Sequence, residues 1–212
     1  AGFSENEAQL IDLGVESTGS LEAGRLLAEV CLSGLAHVSY NAASSIFPTT
    51  TTVQIDTDHP VQACMASQYA GWQLATDDYF GMGSGPMRAA AGKEALFGEI
   101  GFTEKAKQIV GVIESGSTPT ASVCQLIADT CGVKPQDLTI VYAPTASLAG
   151  TVQVVARSLE TALHKLHELG FDLSRVQSGT GTAPLPPVAG EDLAGIGRTN
   201  DAILYGGEVT LW

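Results

Sequence analysis

Basic residues are scarce in this sequence: 10 Lys and Arg stand against 23 Asp and Glu in 212 residues, a net charge of −13. Nucleic-acid binders neutralise phosphates with clustered Lys and Arg, so this balance argues against that class of partner. Long apolar runs are missing too. No stretch of about 18 uninterrupted apolar residues occurs, which leaves no candidate membrane-spanning helix. Nor is a short basic or amphipathic leader visible. Cysteine is sparse, and Cys31, Cys64, Cys124 and Cys131 show no CxxC pair and no ligand-like spacing with His. They read as buried reduced thiols of a cytosolic protein rather than as zinc ligands or disulfides. What is plentiful is apolar character: 44% hydrophobic against 16% charged residues. Such a chain buries enough surface to offset its own ordering. Its length suits one domain or two small lobes sharing a core.

Apolar runs alternate with helical patterns almost throughout. Strands are expected at Gln9–Val15, Thr50–Asp56, Ile109–Ile113, Leu138–Ala143 and Val209–Trp212, with a short apolar run at Tyr79–Met82. Ser20 suits the N-cap of a helix from Leu21 to about Leu35. Further helices are expected from Pro60 to about Leu74, Pro86 to about Phe97, Thr120 to Thr130 (closed by Gly132), Gly150 to Leu169 (stopped by Gly170) and Glu191 to Tyr205. Residues 178–190, SGTGTAPLPPVAG, read as a Gly/Pro-rich loop. The alternation predicts an α/β fold with mixed sheets. We place a lobe boundary between residues 1–85 and 86–212. The apolar ending Val209–Trp212 is expected to be a cut, or an edge that needs a partner.

The predicted helix Gly150–Leu169 carries the most chemistry. At 100° per residue, Gln153, Arg157, Glu160, His164 and His167 share about one quarter of its circumference, opposite Val152, Val155, Leu159, Leu163, Leu166 and Leu169. Arg157 and Glu160 are i,i+3 neighbours, roughly 5–6 Å apart at Cβ. An Arg that close can hold a carboxylate and tune its pKa for moving protons on a bound water. Spacing alone reads more simply as a solvated face with an ion pair of little worth. A metal site at Glu160, His164 and His167 is disfavoured, since HExxH is absent and only His37 and His59 remain. The turn Gly81–Pro86 (GMGSGP) matches neither a dinucleotide fingerprint nor a P-loop, and reads as a tight turn or as a seat for a substrate's anionic group. Arg198–Asp201 is a polar cluster that spacing leaves open as a site, a cap or a subunit contact.

Five segments in order give the sequence a family likeness: MASQYAGW ending at Gly71-Trp72, GMGSGPMRA at 81–89, APTASLAGTVQVVARSLETALHK at 143–165, GTGTAPLPP at 179–187 and GRTNDAILYGG at 197–207. The chain resembles methenyltetrahydromethanopterin cyclohydrolases, shortened at both ends, and Tyr69 with GRTNDAI is closer to the methylotrophic bacterial branch than to the methanogen branch. The resemblance implies two associated α/β lobes with a pocket between them, a cytoplasmic homotrimer, and no metal or dissociable cofactor. It implies reversible hydrolysis of the N5,N10-methenyl bridge of tetrahydromethanopterin to the N5-formyl compound in one-carbon metabolism. The family's catalytic Arg and Glu match Arg157 and Glu160, and Gln68, Ser84, Arg88 and Thr182 are the candidate pterin and tail contacts. Tyr69 stands where other members have Lys. An anionic tail would call on Arg88, Lys93 or Arg198. The methenyl bridge is an amidinium-like cation, so a carboxylate beside it would have its pKa depressed, with Arg157 as counterbalance. The alternatives are a non-catalytic pterin-binding or assembly module, and a folate-type methenyl substrate.

Overall fold

The computed structural model describes residues 2–5, 7–42, 51–69, 71–102 and 104–212. Thr50 of the strand expected at Thr50–Asp56 and Ala70 of the helix expected from Pro60 lie outside the described residues. The chain runs β1 (Gly2–Glu5), β2 (Ala8–Asp12), α1 (Leu21–Cys31), β3 (His37–Ala42) and β4 (Thr51–Thr57), then a π-helix (Val61–Gln68). There follow β5 (Trp72–Thr76), β6 (Tyr79–Ser84), α2 (Pro86–Ala91), α3 (Ala95–Glu99), β7 (Ile109–Glu114) and α4 (Ala121–Cys131). A 3-10 turn (Pro135–Asp137) leads into β8 (Leu138–Ala143), α5 (Leu148–Val155) and α6 (Ser158–Glu168). After a second 3-10 turn (Leu173–Arg175) come β9 (Gly179–Pro184), α7 (Asp192–Gly206) and β10 (Glu208–Leu211).

The expected α/β class takes the form of two sheets. A mixed six-stranded sheet has the order β1-β2-β8-β7-β6-β5. Its centre, β2-β8-β7, is parallel and its flanking pairs are antiparallel. Of the parallel strands, β7 and β8 are near-continuous apolar runs because helices cover both faces. The second sheet, β10-β9-β4-β3, is antiparallel throughout. Strands from both sides of residue 85 enter each sheet, so the boundary expected at 85/86 does not coincide with a sheet boundary.

Helices α1 and α5 pack closely on each other between the sheets. Leu27 and Cys31 of α1 join Val112, Val141 and Ala149 beside the mixed sheet. Ala28 and Leu32, one position on, join Val53, Ile55, Val152 and Leu159 beside the antiparallel one. On the far face of the mixed sheet, Met87 of α2 and Val123, Cys124 and Ile127 of α4 close a separate core. Ser20 caps α1 as expected, accepting from the Ala23 N–H at 3.0 Å.

Four elements depart from the sequence reading. The helix expected from Pro60 to Leu74 stops as a π-helix at Gln68, and Trp72–Thr76 becomes β5 because it pairs antiparallel with β6. The helix expected over Pro86–Phe97 is two, α2 and α3, separated at Gly92, which takes a left-handed φ of 53°. The helix expected over Gly150–Leu169 is also two, α5 and α6, broken at Ala156–Arg157. Finally, the expected loop 178–190 contains β9, an interior strand paired with both β4 and β10. Its glycines are required by packing: a Cβ on Gly181 would stand 2.7 Å from Ser158 Oγ and 2.9 Å from Leu159 N of α6. Strand β3 carried no sequence expectation, since only Val38 of its six residues is fully buried.

Candidate active site

The break between α5 and α6 builds the site. No Pro or Gly causes it. Gln68, the last residue of the π-helix, reaches in with Nε2 and donates to the Ala156 carbonyl at 2.9 Å. In return Arg157 Nη1 donates to the Gln68 carbonyl at 2.6 Å. A side chain that inserts and takes over a main-chain carbonyl is a recognised cause of a helix kink, and π-turns concentrate at functional positions. The reciprocal pair fixes Arg157 at the N-cap position of α6 with only 7% of its surface exposed.

One turn into α6, Glu160 is 5% exposed. The residues expected on a solvated face, Gln153, Arg157 and Glu160, are therefore all interior. Burial pushes the Glu160 carboxyl up to about 7, against the opposing pull of the Arg157 and Arg88 charges. The depression expected beside a bound cation is thus preceded by elevation in the free protein. Among the described residues no ion pair joins Arg157 to Glu160. Instead Glu160 Oε1, Arg157 Nε, Gln68 Oε1 and Ser158 Oγ are buried without a hydrogen-bond partner. Each such group costs about 1–3 kcal/mol in a fold that offers it nothing. Concentrated on two pieces of chain, residue 68 and residues 157–160, they leave donors and acceptors ready for a polar ligand. A carboxyl poised near neutrality beside a fixed guanidinium can take up a proton and return it.

The other candidates divide. Ser84, at the end of β6, is buried and turns inward, with its Oγ 3.3 Å from Cys31 Sγ. It faces the same cluster rather than an anion: Gly81–Ser84 of the expected GMGSGP turn belong to β6, and the Gly85 N–H is already taken by the Ser67 carbonyl at 2.7 Å. Arg88 is 1% exposed, and its donors go to Glu94 at 2.9 and 2.6 Å and to the Met65 and Ala66 carbonyls at 2.6 and 2.8 Å. It braces the π-helix and lends charge to Glu160. Thr182 is not brought to the cluster. Its neighbours Gly181 and Ala183 face α6 and the core, so the alternation of β9 turns Thr182 to the opposite face.

The His residues scatter. His167 pairs with Glu99 at 2.9 Å, while His164 lies against the Tyr69 ring with centroids 4.7 Å apart. Tyr69 in turn sits under the Arg88 guanidinium at 4.8 Å. Among the described residues no group of three His, Cys, Asp or Glu side chains converges as metal ligands. Two participants escaped the sequence reading. Cys31 lies within reach of Arg157, Gln153 and Ser84. Cys64, fully buried, is close enough to Glu160 to have its thiol pushed further up by that charge. Both fall on apolar positions of helical patterns, where nothing distinguishes them from small hydrophobes.

Comparison with known proteins places the chain among relatives of one family. The 48% identical methenyltetrahydromethanopterin cyclohydrolase of Xanthobacter autotrophicus aligns over 206 residues, 97% of this chain and 61% of its own length. Those of Rhodopirellula baltica (51% identical; 97% of this chain, 63% of that protein) and Methanococcoides burtonii (47%; 96% and 64%) behave alike. The chain thus spans a little over three-fifths of the length of these relatives. The family described as Cyclohydrolase (MCH) matches residues 2–212, and the chain belongs to it.

Proposed function

We propose that this chain carries the hydrolytic centre that opens the N5,N10-methenyl bridge of tetrahydromethanopterin to N5-formyl-tetrahydromethanopterin, reversibly. The observation that carries the reading is Glu160: a buried carboxyl pushed up to about 7, with an unpartnered oxygen, one turn from a guanidinium held by main-chain contact. The names of the relatives support the pterin as substrate.

The methenyl carbon lies between two nitrogens that share a positive charge, so it is electrophilic without activation by a metal or a dissociable cofactor. What it lacks in water is a positioned base. Glu160, ionised, takes a proton from a water as that water's oxygen bonds to the carbon. Glu160, now protonated, passes the proton to the departing nitrogen as the C–N bond breaks and the carbonyl forms. The adduct's hydroxyl proton leaves to solvent, which balances the charge lost by the substrate. A pKa near the working pH suits a group that must be base and then acid. The nearby Arg157 charge keeps the Glu160 pKa from rising further.

Gln68 Oε1, buried without a partner, is the candidate to accept an N–H of the bound pterin, with Ser84 and Arg88 as further candidates. The family resemblance supports a cytoplasmic homotrimer with the pterin in a cleft between two lobes. Mixing the chain with methenyl-tetrahydromethanopterin and following the loss of the methenyl absorption tests the reading. Wild type should consume the chromophore, and Glu160→Gln should do so at least about 10³-fold more slowly. Wild-type turnover by Glu160→Gln overturns it. Tight binding without chromophore loss by the wild-type chain would establish a non-catalytic pterin-binding module instead.

A further inference from the structure

Behind Arg157 lies a second layer that is polar where a hydrophobic core would suffice. Cys31 closes α1 with no exposed surface. Its sulfur is met by Gln153 Nε2 from α5 at 3.3 Å and by Arg157 Nη2 from the helix break at 3.8 Å. On its other side stand Ser84 Oγ from β6 at 3.3 Å and the Gln68 carbonyl from the π-helix at 3.9 Å. For Gln153 Nε2, Ser84 Oγ and Arg157 Nη2, the Cys31 sulfur is the sole hydrogen-bond partner among the described residues. One thiol thus serves donors and acceptors arriving from four separate segments.

We infer that Cys31 is a positioning residue: its sulfur seats the Arg157 guanidinium, and through it sets where the positive charge stands relative to Glu160. Arg157 has two anchors, the Gln68 carbonyl through Nη1 and Cys31 through Nη2, and the Nε–H left over is the one without a partner. Removing the sulfur leaves three buried polar groups without partners, and the guanidinium is the one best able to swing toward a new acceptor. The groups around Glu160 are Arg157, Arg88 of α2 and Cys64 of the π-helix. His164 follows one turn along α6 and Glu94 holds Arg88; of the charged residues of α7, β10 and the second 3-10 turn, Arg198, Asp201, Glu208 and Arg175 are exposed and Asp192, half-buried, accepts from the Ala146 N–H at 2.8 Å. Arg157 is the largest opposing charge, so its displacement raises the Glu160 pKa above its wild-type value.

This inference rests on the proposed catalytic reading but is testable without it. The protonated carboxyl of Glu160 is followed against pH by difference infrared spectroscopy, with Glu160→Gln as the blank, in wild type, Cys31→Ala and Cys31→Ser. Cys31→Ala should titrate at higher pH than wild type. Cys31→Ser, which keeps a donor and an acceptor, should return most of the way. Gln153→Met, which leaves the sulfur but loosens its seat, should move in the same direction by less and serves if Cys31→Ala does not fold. In turnover, Cys31→Ala should lose roughly tenfold or more in kcat with KM little changed, as when a buried charge-assisted hydrogen bond is lost. An unmoved Glu160 titration in folded Cys31→Ala, or in Gln153→Met if that variant alone folds, overturns the inference whatever the activity. A shifted titration with no turnover in any protein, wild type included, upholds the seat and removes the catalytic reading.

Discussion

The two halves of one polar stripe behave as different materials. Gln153, Arg157 and Glu160 are buried, with the π-helix packed on α6; further along, His164 and His167 are half-buried and Glu168 is exposed. Glu160 and Glu168 stand two turns apart on the same helix. Burial pushes Glu160 up to about 7. A hydrogen bond from Lys165 at 3.1 Å, in open solvent, holds Glu168 below the ordinary carboxylate range. The residue types are alike. What separates them is the π-helix laid over one end of the stripe, and the helix break that it props open. A pattern of charges on a helix therefore says where polar groups are gathered, and the neighbouring element decides whether they are solvated or poised.

The sharpest way to break that contrast is by turnover. Glu160→Gln should lower hydrolysis of the methenyl pterin by at least about 10³-fold, while Glu168→Gln should stay within about twofold of wild type. Equal losses would erase the distinction.

Stability against pH gives a second, smaller contrast. In the unfolded chain Glu160 releases its proton near the ordinary 4.5; folded, it holds the proton to about 7. Between those values the folded state binds one more proton, so the contribution of Glu160 to stability is fully present below about 4.5 and is lost as pH rises through about 7. Glu160→Gln abolishes this loss. Relative to wild type, the variant should gain on the order of 2–3 kcal/mol between pH 5 and pH 8, read from urea unfolding. A flat difference would place the carboxylate in solvent. Smallest of all, Lys165→Ala removes an exposed pair and should leave the melting temperature within about 1 °C of wild type.

Much of the frame was legible in the sequence. The β-branched and apolar runs at 109–113 and 138–143 are strands because helices cover both of their faces, and Ser20, Gly132 and Gly170 bound helices where their chemistry requires. What stayed hidden depends on contacts between distant segments. The stretch 179–184 has the composition of a loop; it is a strand because it pairs with β4 and β10, and it is glycine-rich because Leu159 and Ser158 of α6 press against Gly181. The break at Ala156–Arg157 has no local signal, since its cause is Gln68, 88 positions earlier. Periodicity put Gln153, Arg157 and Glu160 on one face but assigned that face to solvent, whereas all three are buried. Only the resemblance to a known family singled out the pair. Neither signal pointed to Cys31, whose role appears once α1, α5, β6 and the π-helix meet around its sulfur.

The most direct measurement is the titration of Glu160 itself in the wild-type chain, read from the carbonyl stretch of its protonated form with Glu160→Gln subtracted. A carboxyl half-protonated near pH 7 is the result that follows from its burial between the π-helix and α6. A carboxyl titrating near 4.5, together with the exposed Asp and Glu, would contradict the account.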